Sequence, residues 1–149
     1  MRPKVLVTRK IPESGMKLVR QECLVRLWAE DRPVPEKIIL SKVKGVAGIL
    51  CNCSDKIDRK VIEAAGPGLK IISTMSVGLD NIDVAEATCR GILVANTPGV
   101  LTEATADLTW ALILSLGRKI LEGDRMTRAG KFTGWSPTLL MGAHFSDIP

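Results

Sequence analysis

The stretch best suited to holding a ligand is Ile72–Asp83, where the chain reads Ile-Ser-Thr-Met-Ser-Val-Gly-Leu-Asp-Asn-Ile-Asp. A single glycine, Gly78, interrupts this loop. Glycine tolerates positive φ, which lets successive N–H groups turn toward one point. The N–H groups of Val77 and Gly78 are therefore expected to form a small anion cradle. The alternative is that Gly78 only makes a turn, because one glycine in a loop is a weak signal. Position bears on the choice, since ligands of open α/β sheets bind beyond the carboxyl ends of the strands.

Other chemistries find little support. His144 is the single histidine and sits near the end of the chain, so no Ser–His–Asp or Cys–His arrangement is credible, and it reads as a solvated residue. The four cysteines are Cys23, Cys51, Cys53 and Cys89. The pair Cys51 and Cys53 is spaced C-x-C, unlike the C-x-x-C of zinc and redox sites. Buried or half-buried free thiols and no metal site are the expectation. A dinucleotide-binding turn would show G-x-G-x-x-G between a strand and a helix. The nearest approach, Gly66-Pro67-Gly68, lacks the third glycine and precedes a strand.

Composition narrows the class further. With 149 residues, 46% of them hydrophobic and 25% charged, the chain has the balance of a globular domain with a real core. The net charge of +5 is spread along the sequence, and with two phenylalanines and no tyrosine there are few stacking platforms, so nucleic-acid binding is not expected. No apolar run approaches the ~20 residues of a membrane span. Residues Met1 to Lys4 lead straight into a strand without a signal-peptide pattern, and a cytoplasmic location is the expectation.

The elements that must position the loop follow from hydrophobic pattern and punctuation. Strands are predicted at Lys4–Thr8, Leu24–Trp28, Val46–Cys51, Leu69–Ile72 and Ile92–Ala95. Helices are predicted from Pro12 to Cys23, over Glu36–Val43, from an Asp58 cap through Ala65, and over Val84–Arg90. Asp83 and Glu86 have capping-box spacing, and Gly91 stands where glycine commonly ends a helix. Alternation of this kind predicts right-handed crossovers and a doubly wound, flavodoxin-like, five-stranded parallel sheet. That fold serves several functions. The turn after the first strand, Thr8 to Pro12, lacks a flavin phosphate loop, and the third strand ends Leu50-Cys51-Asn52 without the aspartate of a phospho-receiver.

A long helix is predicted over Thr102–Arg118, capped by Thr102, with Glu103 in its first turn. From Leu108 to Leu116 it is apolar nearly all round, which implies cover by a second domain, a second chain or both. A charged helix over Leu121–Ala129 follows. Residues 130–149, with Trp135, Leu139, Leu140, Met141 and Phe145, read as an extended arm.

Several of these blocks resemble one family. The opening, Lys4 through Gly15, the loop Ser76–Asp83, the run Asn96 through Asp107, and Gly134-Trp-Ser-Pro137 are similar to the D-isomer-specific 2-hydroxyacid dehydrogenases, nearest their glyoxylate/hydroxypyruvate reductase branch. The resemblance implies reduction of a small 2-keto acid to a D-2-hydroxy acid with NAD or NADP as cofactor, in a homodimer. It implies that the Val77 and Gly78 amides hold the substrate carboxylate. It places Thr105 near the nicotinamide, the alternative being a helix threonine that bonds its own backbone. It brings Trp135 toward a neighbouring subunit's active site, the alternative being an ordinary interface aromatic.

The resemblance also implies a division into a substrate domain at 1–100, crossover helices at 101–130 leading to a cofactor domain that is absent, and a truncated arm at 131–149. The family's Gly-rich cofactor domain and its catalytic arginine, glutamate and histidine belong to that absent part. The chain is therefore expected to be catalytically incomplete alone. A stand-alone carboxylate-binding or regulatory module that pairs with a full-length relative is the competing expectation.

Overall fold

The computed structural model describes residues 2–143. The expectations for His144 and Phe145 lie outside the described residues. The chain forms two compact units, Met1–Gly99 and Val100–Pro149.

The first unit alternates strand and helix: β1 (Lys4–Val7), α1 (Glu13–Glu22), β2 (Leu24–Leu27), α2 (Glu36–Lys42), β3 (Gly48–Cys51), α3 (Arg59–Ala65), β4 (Ile71–Thr74), α4 (Val84–Cys89) and β5 (Leu93–Ala95). All strands pair in parallel, in the order β2-β1-β3-β4-β5. This is the flavodoxin-like, doubly wound α/β sheet. Side chains alternate across each strand. Leu6, Ile49, Cys51 and Ile72 pack on one face with Ile39 of α2, Val43 just after it, and Val61, Ile62 and Ala87 from α3 and α4. Val7 packs on the other with Met16 of α1. Toward β5 the sheet is thinly covered: Ile71 is 38% exposed and Leu93 69%.

Local signals explain most boundaries. Asp58 accepts from the Val61 N–H and caps α3, while Gly91, with φ 66°, follows the end of α4. The capping box at α4 is half made. Asp83 accepts from the Glu86 N–H at 2.9 Å, but Glu86 turns its carboxylate to Arg90 and the Asp83 N–H goes to the Ile57 carbonyl. β4 begins and ends two residues later than the pattern predicted. Leu69 is core packing ahead of the strand, whereas Ser73 and Thr74 pair with Leu50 and Cys51.

The second unit holds α5 (Thr102–Gly117) and α6 (Ile120–Arg128), followed by irregular chain. Thr102 does not cap α5. Leu101 occupies the cap position in αR geometry without a side-chain bond, and Thr102 is already in the first turn. No residue of α5 is buried; Leu108 is 60% exposed, Trp110 60% and Leu116 78%. Lys119 takes a left-handed conformation, φ 52° and ψ 37°, between the two helices. Among the described residues no helix is long and apolar enough to cross a membrane.

Candidate functional site

The carboxyl ends of β1, β3, β4 and β5 carry a cluster of short polar side chains. At its centre Asp55, on the loop after β3, has a fully buried carboxylate. It accepts from the Thr8 hydroxyl at 2.6 Å, the Asn52 N–H at 3.1 Å and the Val34 N–H at 3.3 Å. The Arg9 guanidinium stands 3.8 Å away and donates to the Ser54 hydroxyl at 2.9 Å. These groups fill the crevice between β1 and β3, where the strand order reverses and a flavodoxin-like sheet usually admits its ligand. Two buried donors just beyond β1 and β2, Arg9 Nε and the Trp28 indole N–H, have no protein partner among the described residues. Asn81 latches the next loop to this one, donating to the carbonyls of Asn52 at 3.1 Å and Asp55 at 2.9 Å.

The loop after β4 then has an uneven hydrogen-bond pattern. From Ser76 to Gly78 its carbonyls are all taken. Ser76 C=O accepts from the Thr97 N–H at 3.0 Å, Val77 C=O from the Asn96 side-chain amide at 2.8 Å, and Gly78 C=O from the Ser76 hydroxyl at 2.9 Å. Because the Ser76 hydrogen is committed there, Thr74 supplies the hydrogen in its 2.7 Å bond to Ser76. The N–H groups of Val77 and Gly78 make no hydrogen bond among the described residues. Both residues are exposed. Two adjacent free amide N–H groups at the carboxyl end of a parallel strand can donate to an anion.

Gly78 does not achieve this through positive φ. The first unit's left-handed glycines are Gly45, Gly66, Gly91 and Gly99. The side chains of Ser76 and Asn96 shape the loop instead. What glycine contributes at 78 is space, since a Cβ would stand 3.1 Å from Asp80 Oδ2.

The other predicted residues belong to the second unit. Thr105 is exposed on α5, and its hydroxyl makes no hydrogen bond among the described residues. The back-bonding alternative is realised one turn later, where the Thr109 hydroxyl donates to the Thr105 carbonyl at 2.7 Å. Trp135 is 84% exposed and lines a hollow of about 380 Å³ with Arg118, Leu139 and Leu140.

The cysteines are all free, but only Cys51 is buried and Cys23 half-buried; Cys53 and Cys89 are exposed, contrary to expectation, because both sit where the chain leaves an element. Burial pushes the Cys51 thiol pKa up to about 11. Sequence reading assigned no role to Thr8, Arg9, Asp55, Ser76, Asn81 or Asn96. The available signal was a polar residue at the carboxyl end of nearly every strand, where an apolar sheet gives way to loops.

Comparison with known proteins places the chain in a family. The D-isomer specific 2-hydroxyacid dehydrogenase catalytic domain is matched over residues 5–138. A glyoxylate reductase of Thermococcus kodakarensis is 44% identical over 146 residues, covering 95% of this chain and 44% of its own length. The crystal structure of a Thermus thermophilus protein superposes with a TM-score of 0.87 at 41% identity, covering 93% of this chain and 44% of that one. An NADPH-dependent glyoxylate/hydroxypyruvate reductase of Sinorhizobium meliloti, solved with NADP and malonate, gives a TM-score of 0.69 at 28% identity, covering 92% and 43%. The chain thus spans less than half the length of the relatives it matches.

Proposed function

The chain belongs to the D-isomer specific 2-hydroxyacid dehydrogenase family, and from that premise we propose that it is the substrate side of an oxidoreductase. The reaction is reduction of a small 2-keto acid of the glyoxylate or hydroxypyruvate class to the D-2-hydroxy acid. The observation that carries this reading is the pair of unused N–H groups at Val77 and Gly78 beside carbonyls that are all engaged. Two amide donors suit a carboxylate, with charge-assisted bonds stronger than those to a neutral acceptor. Residues 1–100 act as the substrate domain and 101–130 as the crossover, with Thr105 toward the nicotinamide and Trp135 toward the site of a second subunit in a homodimer.

NADH or NADPH supplies the hydride in such a reaction. The residues present include no glycine-rich turn fitted to a dinucleotide's pyrophosphate. The two-glycine turn at Gly66–Gly68 runs from helix to strand, and Gly66, with φ 83°, ends α3. The main grip on the cofactor is therefore expected from another domain or chain, and the chain alone is expected not to turn over. What it contributes is binding and orientation of the keto acid.

The test is titration of the ¹⁵N-labelled chain with oxalate, an unreactive relative of glyoxylate. The Val77 and Gly78 amide resonances are expected to move together and saturate. Absence of any response at both would overturn the cradle. Oxidation of NAD(P)H by the purified chain with glyoxylate would overturn the assignment of the hydride-carrying side elsewhere.

A further inference from the structure

We infer that Asn96 is a positioning residue for the carboxylate site, an inference that rests on the cradle reading above. The reason lies in the geometry of the peptide bond. In a trans peptide the C=O of one residue and the N–H of the next lie in one plane and point in opposite directions. Whatever holds a carbonyl therefore aims the following N–H. The Asn96 side-chain amide donates to the Val77 carbonyl at 2.8 Å, so it aims the Gly78 N–H. The Thr97 backbone N–H donates to the Ser76 carbonyl at 3.0 Å, so it aims the Val77 N–H. The two donors of the cradle are thus set by two neighbouring residues just after β5, one through its side chain and one through its backbone.

Asn96 suits this task by chemistry and position. Its amide is a short, neutral donor that brings no charge to an anion site. It is exposed and outside the core, so its side chain is not needed to fill space. The Ser76 hydroxyl holds the Gly78 carbonyl from within the loop and so fixes the following peptide, Gly78–Leu79.

The experiment compares Asn96→Ala and Asn96→Leu with the unaltered chain in the same oxalate titration. Both variants remove the donor without adding charge, and the leucine keeps most of the volume. Oxalate affinity is expected to fall about fivefold to tenfold, the loss typical of one misaligned hydrogen bond. The oxalate-induced shift at Gly78 should shrink while that at Val77, aimed by Thr97, persists. A general loosening of the loop would weaken both together and would overturn the inference. So would wild-type affinity with an undiminished Gly78 response in either variant, an outcome that leaves the cradle itself intact. Failure of the unaltered chain to respond at either amide would remove the cradle, and the inference with it.

Discussion

Asp55 is the residue on which the polar edge of the sheet depends most. Its buried carboxylate receives Thr8, Asn52 and Val34 and faces Arg9. Replacing it with alanine leaves the Asn52 and Val34 N–H groups without an acceptor and takes the facing carboxylate from the largely buried Arg9 guanidinium, while Thr8 keeps the Leu50 carbonyl and Arg9 the Ser54 hydroxyl. Asp55→Ala is expected to cost about 3–5 kcal/mol, measured by urea unfolding, because breaking one side of a buried charge pair is far more damaging than losing an exposed one. A cost below about 1 kcal/mol would mean that the cluster is already watered.

Cys51 gives a pH signature at the same scale. Its thiol pKa is pushed up to about 11 by burial, against 9.0 for an ordinary thiol. The unfolded chain therefore loses this proton first. Stability is unaffected below the ordinary value and falls as pH rises from about 9 toward 11. Cys51→Ser is expected to flatten that slope in unfolding measured against pH. In the native chain Cys53 and Cys89 should alkylate readily and Cys51 should not, which mass spectrometry of the labelled peptides checks.

At the level of the element, the break between α5 and α6 is built on a residue in an unfavourable conformation. Lys119 adopts φ 52°, which costs an L-residue roughly 1–2 kcal/mol. Lys119→Gly is expected to stabilise the second unit by about 0.5–1 kcal/mol, read as a higher thermal midpoint, since glycine's larger unfolded entropy offsets part of the relief. The elements themselves were largely legible in the sequence. The apolar runs at Val5, Ile49 and Ile72 and the caps at Asp58 and Asp83 have local causes that act over a few residues. What was not legible depended on partners far along the chain. The shifted bounds of β4 come from its pairing with β3, and the half-made capping box from Ile57 taking the Asp83 N–H. Val77 and Gly78 could be picked out as candidates, but the reason their donors are free lies in Asn96 and Thr97, a helix and a strand further on.

For the molecule as a whole, the exposed apolar surface is the dominant fact. Ile71 and Leu93 are uncovered on the sheet unit, and α5 has no buried residue. Exposed apolar residues in such number mark surfaces that meet protein. The isolated chain is expected to self-associate with rising concentration and to bind a hydrophobic dye, followed by sedimentation velocity and dye fluorescence. A monodisperse monomer without dye binding would remove the argument that α5 meets a second domain or subunit.

In the proposed reading the loop after β4 presents its anion-binding chemistry through the Val77 and Gly78 main-chain N–H groups, and mutational tolerance there will mislead. Every residue type except proline would offer the same N–H at position 77, so an alanine scan would pass over Val77 as inert. Only a change to the backbone, a proline or an ester linkage at that position, would silence it. A recognition point of this type can drift freely in side-chain identity while its purpose stays fixed.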